Sequence, residues 1–296
     1  MNGLVAFLRL GRLQFLAGGF VLYGLGAALA GVRRWDVYGL GQLVVTATQL
    51  MVHYANDYFD LEADKANLTP TRWSGGSRVL PDGVLSPVVA LRAAQVLLFV
   101  AVCAAIGVAR RAGGPALWLA MAMIALAWGY SAPPARFCAR GLGELTTAIV
   151  VTLLVPVYGY ALQAGTVRAP VLLAAALPSA LQFAMLLAIE FPDAAGDAAT
   201  GKRTLVVRLG APAAARLFAV VTLAAFGALP LWAAAGLPAR VAVAPLALAP
   251  IAIWQAWRVA RGAYGERARW GSVAFWSVAL LIGSASLELA AALAGG

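Results

Sequence analysis

Residues 169–197 read APVLLAAALPSALQFAMLLAIEFPDAAGD, an apolar run that passes directly into a short acidic segment. Positions 169–189 carry no charged side chain. Their length matches the roughly 20 residues that a helix needs to cross the hydrocarbon core of a bilayer. Only a helix satisfies every backbone polar group of such a single segment in lipid. The stretch therefore predicts a membrane-spanning helix with carboxylates at one end.

Apolar runs of similar length recur along the whole chain. Of the 296 residues, 62% are hydrophobic and 11% are charged, whereas a soluble domain has about a quarter charged residues. We therefore predict one all-α, polytopic membrane domain spanning residues 1–296, with about nine transmembrane helices. The predicted spans are 13–31, 36–56, 84–109, 114–131, 143–164, 169–189, 212–236, 240–258 and 271–294.

The distribution of charge predicts an orientation in the membrane. Nine spans put the two termini on opposite sides, and most of the 22 basic residues then fall on the side of the N-terminus. The positive-inside rule places that side in the cytoplasm. Most of the 12 acidic residues lie there too. The net charge of +10 reflects this topology, so we expect no nucleic-acid partner and an integral protein of a bacterial or archaeal cell membrane.

Two acidic clusters stand at the cytoplasmic ends of the second and sixth spans. Residues at spacings of three and four share one face of a helix, and like charges there destabilise it. Both spans run from outside to inside, so the clusters should lie at the same depth. Oxygen-rich sites that face each other can hold Mg²⁺ together with substrate phosphate oxygens. The predicted metal ligands are Asn56, Asp57, Asp60 and Asp64 in the first cluster and Glu190, Asp193 and Asp197 in the second.

Basic side chains follow each acidic cluster and are candidates for binding a diphosphate. Guanidinium groups suit bidentate phosphate contacts, although lipid headgroups attract the same residues. The loop from Tyr130 to Glu144 closes the same face, and Pro133 and Pro134 end the fourth span. The predicted substrate-binding residues are Arg72, Arg78, Tyr130, Arg136, Lys202 and Arg203.

These motifs resemble those of the UbiA superfamily of intramembrane prenyltransferases. The first cluster matches NDxxDxxxD from Asn56 to Asp64, and the second matches DxxxD from Asp193 to Asp197. Glu190 departs from the family pattern, which usually has Asn or Asp at that position. The resemblance implies a bundle around a central cavity, an isoprenyl diphosphate substrate held by two Mg²⁺ ions, an aromatic acceptor, and an isoprenoid tail in a groove open to membrane lipid.

Two further segments resemble the naphthoate prenyltransferases of menaquinone synthesis. They are Gly201-Lys202-Arg203-Thr204-Leu205, which precedes Val207-Arg208-Leu209-Gly210, and Ser74-Gly75-Gly76-Ser77. The acceptor that this resemblance implies is 1,4-dihydroxy-2-naphthoate.

The implied reaction is electrophilic aromatic prenylation through an allylic cation. Asp57, Asp60, Asp193 and Asp197 are the candidate catalytic carboxylates. His53, the only histidine, stands three residues before Asn56 and is a candidate base for the acceptor, with packing in the helix as the alternative. Aromatic faces can shield a cation, and the candidates for this role are Tyr54, Tyr58, Trp128, Tyr130, Tyr158 and Phe183.

Several alternatives share these motifs. The acceptor could be 4-hydroxybenzoate, homogentisate, a lipid ether or haem, or the cation could cyclise within its own chain as in a terpene cyclase. A cation-coupled transporter is a more distant alternative, since transporters typically place charges near mid-membrane in inverted repeats. Here the acidic clusters lie at helix ends on one side.

Overall fold

Nine helical segments cross the molecule in the computed structural model, which describes residues 2–295. We number them α1 Gly3–Ala30, α2 Trp35–Phe59, α3 Pro87–Ala112, α4 Ala116–Ser131, α5 Gly143–Ala164, α6 Ala169–Glu190, α7 Ala211–Ala234, α8 Ala239–Ala260 and α9 Arg267–Leu293. Each coincides with one predicted span, and no strand occurs between residues 2 and 295. The predicted all-helical fold is therefore confirmed.

Four of these segments are interrupted. The first begins at Gly3 rather than at residue 13, and it consists of Gly3–Leu10, the 3-10 turn Leu13–Phe15 and Leu16–Ala30. The others contain the π-helix Ala148–Leu154 in α5, a break at Ala228 in α7, and the 3-10 stretch Ala244–Leu248 in α8. Short helices lie in the loops that follow α2, α4, α6 and α8, at Leu61–Ala66, Phe137–Arg140, Ala194–Ala199, Leu205–Leu209 and Ala263–Gly265.

Seven of the nine segments are long and apolar enough to cross a membrane by composition alone. The exceptions are α2 and α4. One face of α2 carries polar groups, including Thr48, Gln49, His53 and Asn56. The 16 residues of α4 span about 24 Å, less than the usual hydrocarbon thickness. Both helices line the interior of the bundle, so neither depends on lipid contact along its whole surface.

The helices pack in two groups. In the first group α2 contacts α3 and α4, and α1 packs along α5. In the second group α6 contacts α7 and α9, and α7 packs on α8. Contacts of α1 with α9 and of α5 with α6 close the ring. Large apolar side chains such as Phe99, Trp118 and Val220 point outward, as expected of surfaces that face lipid rather than water.

The backbones of α1 and α5 are in close contact. A Cβ atom at Gly26 would overlap the carbonyl of Pro156, and one at Gly159 would overlap the carbonyl of Tyr23. The two backbones can approach in this way because both positions lack a side chain. This contact fixes α1 against the wall of the central cavity.

Candidate active site

The first acidic cluster spans a bend at the end of α2. The helix ends at Phe59, but the N–H of Asp60 still bonds the Asn56 carbonyl at 2.8 Å, and the N–H of Asp64 bonds the Asp60 carbonyl at 2.9 Å. Asn56, Asp60 and Asp64 therefore keep their helical four-residue spacing across the bend and into the short helix Leu61–Ala66. Asn56 Nδ2 donates to Asp60 Oδ2 at 2.8 Å, so these two side chains lie together.

The second cluster also lies at a break, which differs from the continuous helical face that the spacing predicts. The α6 helix ends at Glu190, and a new short helix starts at Ala194. Pro192 explains the break, because it has no N–H to donate and restricts the residue before it. Backbone bonds from Asp193 to Glu190 (3.0 Å) and from Asp197 to Asp193 (2.9 Å) keep the three acidic residues in sequence around the turn.

The two clusters meet around Lys202. Its ammonium nitrogen lies 2.9 Å from Asp60 Oδ2 and 3.4 Å from Asp197 Oδ1. The loops that follow α2 and α6 also interlock, because Asp193 accepts hydrogen bonds from Asn67 Nδ2 at 2.6 Å and from the Gly75 N–H at 3.1 Å. The structure therefore brings together two acidic clusters that are more than a hundred residues apart in the sequence.

The loop between α2 and α3 wraps the first cluster. Ser77 donates to Asp57 from its N–H at 3.3 Å and from its hydroxyl. Gly76, with φ +73°, runs so close to Asp64 that a Cβ atom would overlap the carboxylate. Arg12, at the break in α1, forms an ion pair with Asp57 from the other side. Asp57 thus connects the first helix, the second helix and the loop.

Burial makes these carboxylates difficult to ionise without a cation. Burial, reinforced by nearby Asp57, raises the pKa of Asp64 to about 8. Burial likewise raises the pKa of Asp193 to about 6, and that of Asp197 above its ordinary value. Burial alone would lower the pKa of Lys202, but Asp60 and Asp197 outweigh it and hold that pKa well above the ordinary range.

The donor set suits a divalent cation that is shared with a substrate. Asp64 Oδ2, Glu190 Oε2 and Asp197 Oδ2 are buried and have no hydrogen-bond partner in the part of the chain that is described. Within the same part, no three His, Cys, Asp or Glu side chains converge into a complete metal cluster. Mg²⁺ typically takes one or two carboxylates and completes its shell with water and phosphate oxygens, which fits this arrangement.

Glu190 has a second carboxylate as its neighbour. Its side chain contacts that of Glu144 at the start of α5, and Glu144 Oε1 accepts the N–H of Leu205 at 2.9 Å. Glu144 therefore ties the start of α5 to the loop that follows Lys202.

The residues predicted to bind substrate separate into two groups. Lys202 lies between the clusters, and Tyr130 lines the cavity below them. Arg78 instead donates to the Asp64 carbonyl at 2.5 Å and pairs with Asp82 at 3.2 Å. The side chains of Arg72, Arg136 and Arg203 are exposed on loops rather than lining the cavity.

A cavity of about 240 Å³ opens below the carboxylates, between α1, α2, α4, α5, α6 and α9. Asn56, His53 and Arg12 line its polar end. The ring of Phe15 lies 5.8 Å from that of His53 and 6.1 Å from that of Trp73. An aromatic surface therefore stands beside the first acidic cluster at the mouth of the cavity.

The structure brings few of the predicted aromatic residues to the cavity. Of the six candidates, only Tyr130 lines this cavity. Tyr54 donates its hydroxyl to the Phe7 carbonyl, and Tyr158 is fully buried in the core beside Tyr23. The sequence analysis missed Phe15 and Trp73, and it treated Arg12 only as a topology signal. All three lie outside the family motifs and reach the site through the packing of α1 and the loop after α2.

A family model described as the UbiA prenyltransferase family matches residues 17–279. The chain belongs to the UbiA prenyltransferase family. The match covers most of the chain, including both acidic clusters, so the UbiA resemblance of the motifs is confirmed at family level. No curated protein matches the chain in sequence.

Solved structures of other UbiA proteins show the same fold. A digeranylgeranylglyceryl phosphate synthase is 17% identical with a TM-score of 0.69, and the match covers 99% of this chain and 100% of that one. A UbiA homologue from Aeropyrum pernix K1 is 17% identical with a TM-score of 0.69, covering 95% and 98%. A homologue from Archaeoglobus fulgidus bound to GPP and Mg²⁺ is 15% identical with a TM-score of 0.65, covering 96% and 99%. At these identities the likeness concerns the fold.

Proposed function

We propose that this UbiA protein transfers a polyprenyl group from an isoprenyl diphosphate to an aromatic acceptor, and that the acceptor is 1,4-dihydroxy-2-naphthoate in menaquinone biosynthesis. The observation that carries the proposal is the meeting of two carboxylate clusters around Lys202 at the mouth of an apolar cavity. A charged diphosphate fits the mouth, and a hydrocarbon chain fits the cavity. The A. fulgidus homologue bound to GPP and Mg²⁺ supports the substrate class.

Two Mg²⁺ ions would be held by the predicted ligands Asn56, Asp57, Asp60 and Asp64 on one side and Glu190, Asp193 and Asp197 on the other. Asp57 and Asp193 already accept hydrogen bonds at both oxygens. We assign them mainly to positioning their loops, and we assign direct ligation first to the carboxylates with partner-free oxygens. When bound, Mg²⁺ neutralises charge on the departing diphosphate.

The protein's own groups have defined roles in the transfer. Lys202 is paired with Asp60 and Asp197, and its remaining N–H donates to the diphosphate as the bond between C1 and oxygen breaks and its electron pair leaves with the phosphate. The allylic cation is attacked by an electron-rich ring carbon, which forms the new C–C bond. That carbon then loses its proton or, if it is carboxylated, carbon dioxide. His53 lines the cavity next to Asn56 and is placed to accept a proton.

The acceptor part of the proposal rests on the mouth of the cavity. Phe15, His53 and Trp73 offer flat faces for an aromatic ring. The Arg12 guanidinium lines the same space and suits an acidic substituent. The segments Ser74–Ser77 and Gly201–Leu205 resemble those of naphthoate prenyltransferases. We place the protein in the cell membrane with this site on the cytoplasmic side and the isoprenoid tail in contact with membrane lipid.

The test is a reaction of purified protein with several prenyl diphosphates and a panel of aromatic acids, analysed by mass spectrometry. We expect a prenylated product from 1,4-dihydroxy-2-naphthoate, with its carboxylate retained or lost as carbon dioxide, loss of this product in EDTA and recovery with Mg²⁺. Asp60→Ala should lower the rate by about 100-fold or more, because it removes a predicted Mg²⁺ ligand and the ion pair that positions Lys202, and these cations stabilise the departing diphosphate. Glu62→Ala is the matched control, since Glu62 is on the exposed side of the same segment. Near-normal transfer by Asp60→Ala would contradict the assignment.

A further inference from the structure

The central cavity is not uniformly apolar below the carboxylates. Asn56, His53, Gln49 and Val45 of α2 all line it. At 1.5 Å per residue the cavity therefore follows α2 for about 16 Å from the metal-binding motif. Most of its deeper wall is formed by side chains such as Leu22, Met123 and Val155. Two side-chain amides, those of Gln49 and Gln182, interrupt this wall.

The two amides lie at matched depth on different helices. Gln49 is seven residues before Asn56 on α2, and Gln182 is eight residues before Glu190 on α6. Both helices run toward the carboxylates, so each amide stands about 10–12 Å below its own cluster. Gln182 is 6% exposed and lines the same cavity. The amides thus approach one chamber from two walls.

Gln49 is held in place but incompletely bonded. Its amide occupies the space left by Gly19 of α1, where a Cβ atom would overlap it. Its Oε1 atom is buried without a hydrogen-bond partner among residues 2–295. A buried amide oxygen without a partner costs free energy, which a ligand that supplies a donor recovers.

We infer that Gln49 and Gln182 form the acceptor subsite and select an acceptor with hydrogen-bonding groups on the side away from the diphosphate. An isoprenoid tail carries only hydrocarbon beyond C1 and cannot satisfy either amide. The tail instead matches the apolar wall of α9, where Val278, Leu281 and Ile282 line the cavity. The inference rests on the proposed prenyl transfer and specifies which class of acceptor the site binds. It also favours transfer over cyclisation, since a cyclising chain would bring no polar group to this chamber.

The test compares binding of 1,4-dihydroxy-2-naphthoate with that of 2-naphthoate, which lacks both hydroxyls. Equilibrium dialysis with the purified protein gives the two dissociation constants without requiring turnover. We expect the wild type to bind the dihydroxy compound at least about 10-fold more tightly, because a site built for hydrogen bonds discriminates against a ligand that lacks them. The double variant Gln49→Met and Gln182→Met should bring this ratio close to one.

Gln42→Met is the matched control. Gln42 is a buried amide on the same helix, its Nε2 donates to Thr46 Oγ1 at 3.1 Å, and it does not line the cavity. The ratio should stay at the wild-type value in this variant. An unchanged ratio in a folded double variant, or no discrimination by the wild type, would overturn the inference. Failure of the proposed function is separate, because it appears as absence of prenylated product from every acceptor with the wild-type protein.

Discussion

Gly76 shows how a single residue shapes the site. Its φ of +73° costs an L-amino acid about 1–2 kcal/mol, and its α-carbon packs directly against the Asp64 carboxylate. Gly76→Ala should therefore both destabilise the loop and displace Asp64. We expect a large loss of prenyl transfer, measured at saturating diphosphate, together with weaker Mg²⁺ activation.

Gly83→Ala separates the two effects. Gly83 has a similar φ of +70°, but its added Cβ would meet nothing within 4 Å. This variant should share the backbone cost and keep its Mg²⁺ dependence and most of its activity. Equal losses in the two variants would show that the contact with Asp64 is unimportant.

At the same scale, the sequence could predict groups in regular motifs but not their partners. The four-residue spacing from Asn56 to Asp64 is visible in the sequence, and it implies a shared face whatever the tertiary structure. The ion pair of Arg12 with Asp57 is not visible in this way, because it requires the position of α1 relative to α2. Arg136 shows the converse, since its place in the loop from Tyr130 to Glu144 did not bring its side chain to the cavity.

Among the elements, the contact between α1 and α5 is the most sensitive to added volume. Gly26→Ala would push the helix backbone away from the Pro156 carbonyl, at a cost of about 1–3 kcal/mol. We expect a lower melting temperature in detergent. Gly39→Ala in α2 is the control, because nothing lies within 4 Å of its added Cβ and alanine favours the helix. If both variants melted alike, close packing at Gly26 would not matter.

Helix positions were easier to predict than helix ends. A long uncharged run has one stable form in lipid, so the seven long apolar helices have a clear hydropathy signal, which is weaker for the polar-faced α2 and the short α4. The breaks at Arg12, Asp60 and Pro192 determine where the site residues lie. These breaks depend on the local backbone conformation in loops, where water competes for the backbone hydrogen bonds. Of these three, only Pro192 is a helix-breaking residue that the sequence shows. The helical spacing of Glu190, Asp193 and Asp197 nevertheless favoured the prediction of a continuous helix.

For the molecule as a whole, the charge asymmetry predicts which face meets the cytoplasm. In a background with Cys103→Ser and Cys138→Ala, a cysteine at Thr166 lies in the exposed α5–α6 loop, and one at Asp82 lies in the exposed α2–α3 loop. A membrane-impermeant maleimide added to intact cells should label Thr166→Cys, and should label Asp82→Cys only after permeabilisation. The reverse pattern would invert the orientation and put the carboxylates outside.

The salt bridges of Lys202 link segments contributed by opposite halves of the polypeptide, since Asp60 follows the second helix and Asp197 follows the sixth. A truncated product that ends after α5 would still insert into a bilayer, because its hydrophobic runs are intact. It would carry only the first of the two acidic clusters and would lack Lys202, whose ammonium balances that charge. Membrane insertion and enzymatic activity are therefore separable in this protein. Recovery of a fragment in the membrane fraction is no evidence that the fragment is catalytically active.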